Sequence, residues 1–140
     1  MSADMNPPFE RSAVVVAGVA PPAGHYSHGI VAAGRILFVA GQVALDEEGN
    51  LVGRGDAAAQ ARQVLLNMKR VIEGAGGSMA DVARTTVYLT HLEDRGPVGN
   101  VRTEFFPDPA PANTLLVVAS LAHPDFLVEI DAIVPLTGGS

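Results

Sequence analysis

The sequence predicts an α+β fold: a mostly antiparallel sheet with two helices packed on one of its faces. Three observations carry this. Residues 56–73 repeat apolar side chains at three- and four-residue steps, the mark of a helix with a single buried stripe. Residues 35–41, 83–90 and 113–134 are rich in β-branched and aliphatic residues with the two-residue alternation of strands. The predicted elements follow the order β-β-β-α-β-α-β-β, in which strands and helices do not alternate regularly enough for a doubly wound parallel sheet.

Taken in order, residues 1–10 are polar and small and contain a Pro-Pro pair, so a loose tail is expected there, with 11–136 as a single domain. Ser12 to Val19 is an expected edge strand, broken by Pro21-Pro22-Ala23-Gly24. A loop containing His25, Tyr26, Ser27 and His28 follows. Gly29 to Ala33 and Arg35 to Gly41 then suggest a hairpin turning at Ala33-Gly34. Asp46 to Asn50 is a charged surface turn. In the first helix, Asp56 is a suitable N-cap, and Ala57, Ala61, Leu65, Met68 and Ile72 make the stripe. Gln60, Arg62, Gln63, Asn67 and Arg70 fall off it, and Gly74 to Gly77 ends the helix.

Ser78 to Asp81 suggests a short capped turn, and Ala83 to Thr90 a strand. A second, weaker helix is expected from about Pro97, on the spacing of Val98, Val101 and Phe105. Pro107, Pro109 and Pro111 impose an extended path after it. The chain closes with two strands in residues 113–134, joined through Ala122-His123-Pro124-Asp125. In the last strand Val128, Ile130, Ala132 and Val134 share one face, and Leu127, Glu129, Asp131 and Ile133 the other. Both faces are largely apolar, so the side away from the helices needs a cover, and another copy of the same sheet would supply one. Glu129 lies on that second face. A carboxylate there must be paired, hydrogen-bonded or functional.

The bulk numbers exclude several classes. A net charge of −6 disfavours nucleic-acid and anionic-membrane surfaces. Cysteine is absent, which removes disulfides and thiol nucleophiles and fits a reducing, cytoplasmic setting. The opening residues lack a basic segment followed by an apolar run, so no signal peptide is expected, and no apolar stretch has the length of a membrane span. His25 and His28, with His91 and His123 elsewhere, do not form a metal-ligand pattern, so neither metal nor cofactor is expected.

Several pieces, in this order and spacing, resemble the Rid (YjgF-like) superfamily. They are the Gly24-His25-Tyr26-Ser27-His28-Gly29 loop, Phe38-Val39-Ala40-Gly41-Gln42, the helix from Ala59 to Lys69 followed by Gly76, residues 83–89, Glu104-Phe105-Phe106-Pro107, and Val128-Glu129-Ile130. The resemblance spans about residues 20–135. It implies a chorismate-mutase-like homotrimer in which three sheets form a central barrel with helices outside and clefts between subunits. It also implies metal-free hydrolysis of reactive imines or enamines to a carbonyl compound and ammonia. Tyr26 and Glu129 would then be the catalytic pair, with Ala40, Gly41, Asn100 and Asn113 as ligand contacts.

The family's carboxylate-clamping arginine corresponds to Asn113 here. An arginine fork makes a charge-assisted bidentate contact that a neutral amide lacks. The expected substrate is therefore a small imine, enamine or related carbonyl compound without the usual 2-imino-acid carboxylate. The alternative is a non-catalytic trimer of the same fold that binds a small ligand or a partner. Arg102, on the weaker helix, is expected to be a solvated charge; the less favoured alternative makes it a displaced substitute for the missing arginine. A ribonuclease reading is disfavoured by the acidic charge.

Overall fold

The computed structural model describes residues 11–136; the expected tail, residues 1–10, lies outside them. Six strands and two helices follow in order: β1 (Ser12–Ala13), β2 (Ile30–Val31), β3 (Arg35–Gln42), α1 (Ala57–Gly74), β4 (Arg84–Leu89), α2 (Arg95–Phe105), β5 (Ala112–Val117) and β6 (Val128–Leu136). The expected α+β order is therefore present. One sheet has the strand order β3-β6-β4-β5, with β6 antiparallel to both neighbours and β4 parallel to β5. A second, two-stranded sheet pairs β1 with β2.

Three local expectations are corrected. The edge strand from Ser12 to Val19 is only two residues long. After Val14 N–H donates to Gly29 O the chain leaves the sheet, and Val15 is fully exposed. The segments on either side of Gly34 are strands but not a hairpin. Gly34 has φ +114°, and beyond it β3 pairs with β6 while β2 pairs with β1. The two closing strands, β5 and β6, though joined through residues 122–125, do not pair with each other either, because β4 lies between them. The inner face of β6, from Val128 to Val134, is wholly buried, so β6 belongs in the middle of the sheet with both edges bonded. α2 carries the chain from β4 to its parallel neighbour β5, as parallel pairing requires.

α1 begins where the sequence places it. The Asp56 carboxylate accepts from Ala59 N–H at 3.0 Å. Its stripe packs on β6 and β3, and Val64, Leu65, Met68 and Ile72 are fully buried. Gln60 departs from expectation. It is completely buried, donates to Gly53 O and Asp125 O at 3.1 and 2.9 Å, and accepts from Leu127 N–H at 2.8 Å. It belongs to the buried face because it ties α1 to the long connection entering β6.

A capping box, with Ser78 N–H donating to Asp81, forms the turn before β4. α2 starts two residues before Pro97. Proline is tolerated there because the first N–H groups of a helix have no partner within it. Both helices lie on one side of the sheet. The other side carries Ile36, Phe38, Ile133 and Leu116, all exposed, and Phe38 stands 74 % exposed. That side is not apolar throughout: Thr86, Tyr88 and Asp131 make its centre polar.

Candidate active site

The residues singled out by sequence fall into two groups on opposite faces of the sheet. Glu129, Gly41 and Ala40 gather on the face without helices. Glu129 pairs with Tyr88 across β4 and β6. Between Val39 and Gln42 the β3–β6 register slips by one residue, a bulge that brings the Gly41 backbone against the Glu129 side chain. A Cβ at position 41 would lie 2.8 Å from the Glu129 carboxyl carbon, so only glycine leaves that space free. Glu129 is half-buried. Partial burial, and secondarily the nearby Asp131 charge, raise its pKa above the ordinary carboxylate range. Asp131 in turn accepts from the Tyr88 hydroxyl at 3.0 Å, which raises the tyrosine pKa.

Tyr26, Asn100 and Asn113 gather on the helix side. They line a cavity of about 690 Å³ between the loop preceding β2, α2 and β5, together with Gly24, Arg102 and Leu115. Tyr26 is held in the loop by its hydroxyl, which accepts from Ala23 N–H at 3.3 Å. His25 fixes the same loop: its Nε2 is 2.7 Å from Phe106 O and, facing a carbonyl, must carry the proton. His28 is likewise committed to a backbone carbonyl, 2.6 Å from Ala20 O. Among the described residues, no three His, Cys, Asp or Glu side chains converge as a metal site would require.

The expectation overturned by the structure is that Arg102 is a solvated charge. The residue is only 4 % exposed. Its guanidinium donates to His25 O at 3.1 Å and to the Thr85 hydroxyl at 3.2 Å, and lies 5.4 Å from the centre of the Phe106 ring. Nε, also buried, has no acceptor. Burial pushes its pKa down to about 10. The helical spacing held the signal: Arg102 stands four residues after Val98 and one after Val101, on the buried stripe of α2.

Arg102 also orients Asn113. Arginine can only donate, so Thr85 accepts from it and passes its own hydroxyl hydrogen to Asn113 Oδ1, 2.6 Å away. The Asn113 amide NH2 is thereby left as the donor this residue offers. Among its described lining residues, the cavity has no acidic side chain.

This architecture, an α+β chain with two helices on one face of a mixed sheet, defines a recognisable class, and comparisons with known proteins narrow it. The Endoribonuclease L-PSP family matches residues 17–136. A RutC family protein of Pyrococcus horikoshii is 41 % identical over 112 residues, covering 80 % of this chain and 87 % of the relative. The crystal structure of the Rid-family protein YyfB from Yersinia pestis superposes with a TM-score of 0.80 at 33 % identity, covering 91 % of this chain and all of that one. RidA from an Antarctic Psychrobacter gives 0.68 at 33 % identity, over 89 % of this chain and 98 % of that one. The chain belongs to this family, the Rid (YjgF-like) superfamily.

Proposed function

We propose that this chain is a deaminase-like hydrolase of small, reactive imines or enamines, acting in clefts completed between the subunits of a homotrimer. The cavity half of one copy, with Tyr26, Asn100 and Asn113, takes the substrate. The sheet half of a neighbour, with Glu129 beside Ala40 and Gly41, brings the acid–base group. The observation that carries this reading is the Glu129 carboxylate, half-buried against the Gly41 backbone at a bulge in β3, where a Cβ would crowd it, with its pKa raised above the ordinary carboxylate range. Its separation from the cavity by the thickness of the sheet supports a site shared between copies.

In the reaction, Glu129 takes a proton from water as the oxygen adds to the C=N carbon, and returns it to nitrogen. The C–N bond of the resulting carbinolamine then breaks, releasing ammonia and the carbonyl compound. An enamine first accepts a proton at carbon from the same carboxyl group. Neither step needs a metal or an organic cofactor. A net charge of −6 speaks against an RNA substrate, whose binding rests on neutralising phosphates.

The test is hydrolysis of 2-iminopropionate generated in the cuvette. The wild-type chain is expected to remove it faster than the spontaneous reaction. Glu129→Gln should bring the rate to background with the assembly unchanged. Full turnover by the mutant would remove Glu129 from the chemistry.

A further inference from the structure

Among the described residues, Arg102 has no counter-ion: it is held inside the protein and no salt bridge involves it. Two contacts use two of its five N–H groups, and both acceptors are neutral. Nε is buried with no acceptor at all. A buried charge is tolerated when it is paired, and two neutral hydrogen bonds and the Phe106 ring leave the arginine without an opposite charge, which favours an anion completing its environment. The described side chains lining the cavity beside it do not supply that anion. They add donors instead: the Asn113 amide NH2, oriented through Thr85, and a second guanidinium, that of Arg95.

Resting on the reading of this cavity as the substrate pocket, we propose that Arg102, projecting from α2, is the anion anchor of the site, and that the natural ligand is a small carbonyl or imino compound bearing a carboxylate. The absence of arginine at position 113 therefore does not imply a neutral substrate. The positive charge enters from the helix instead of the strand, and Asn113 becomes a neutral donor that Arg102 orients through the Thr85 hydroxyl. A carboxylate is the anion favoured here, because the planar guanidinium fork with unused N–H donors matches a planar carboxylate and the neutral Asn113 amide adds no further charge for a dianionic phosphate ester.

The test is direct binding to the full-length wild-type protein, read on the Arg102 Nε–H resonance in nitrogen-15 NMR spectra. That peak is identified as the one lost in Arg102→Lys. Titration with pyruvate should move it saturably, while methyl pyruvate, of similar shape but without the charge, should leave it in place over the same range. Arg102→Met should weaken pyruvate binding at least ten-fold, and Arg95→Ala less than three-fold.

An unmoved Arg102 resonance at saturating pyruvate would overturn the proposal, even if Arg102→Met fails to fold. So would equal binding of the ester, or a larger loss in Arg95→Ala than in Arg102→Met. Pyruvate binding of the expected kind without hydrolysis of 2-iminopropionate would uphold the anchor and reject the proposed reaction. Hydrolysis indifferent to the carboxylate would do the reverse.

Discussion

At Gly41 the backbone of β3 passes so close to Glu129 that the side chain of one residue is set by the absence of a side chain on the other. In Gly41→Ala the new methyl group would meet the carboxyl and Cγ carbons at 2.8 and 3.0 Å. These belong to the far end of a flexible side chain, so it is the carboxylate that yields. A stability loss of about 1 kcal/mol or less is expected, against a fall in kcat on the order of a hundred-fold, as expected when a general acid–base group is misplaced. Thermal unfolding and steady-state kinetics on one preparation check both.

The raised pKa of Glu129 has its own signature. The folded state holds this proton more tightly than the unfolded chain does. Its contribution therefore favours folding least once pH exceeds the folded pKa, and the loss develops between the unfolded and folded values. Glu129→Gln removes that loss. Its melting temperature relative to wild type should rise as pH climbs through this window and stay level above it, in a series from pH 4 to 8.

Among the elements, α1 shows where sequence reasoning succeeds and where it stops. Its cap and its Ala57–Ile72 stripe are legible because spacing alone decides which side chains meet a sheet. Gln60 was not legible, since its place on the buried face depends on three backbone groups from residues 53, 125 and 127 that only the tertiary fold brings together. The same limit explains the strand pairings. The two faces of β6 followed from alternation, but its position between β3 and β4 did not, because adjacent strands in sequence need not be neighbours in space. Of the candidate site residues, Glu129 was singled out by strand alternation and Tyr26 and Asn113 by the family resemblance, whereas Arg102, on a poor helix, was read first as a surface charge. Replacing Gln60 by Leu leaves the half-buried Asp125 carbonyl and Leu127 N–H without partners, while Gly53 O keeps the Asp56 N–H. A loss of about 2–4 kcal/mol is expected, seen as a lower urea midpoint with an unchanged slope.

For the whole molecule, the helices cover one face of the sheet and leave Phe38, Ile36, Ile133 and Leu116 exposed on the other. A phenylalanine 74 % exposed beside Ile133 on a regular strand is better placed against a neighbouring sheet than in water. Burying such a side chain contributes roughly 1.5–3 kcal/mol, and a three-fold assembly collects that term three times. The same face carries Glu129, so assembly and catalysis are expected to fail together. Phe38→Glu places a charge where three copies would meet, while in the single chain it alters only a solvent-facing position. Light scattering should give three times the chain mass for wild type and a single-chain mass for Phe38→Glu, whose circular dichroism should be unchanged. The dissociated chain should also lose hydrolysis of 2-iminopropionate, since the cavity and the carboxylate lie on opposite sides of its own sheet. A monomer that retains full activity would show that one chain holds a complete site, and the shared cleft would have to be abandoned.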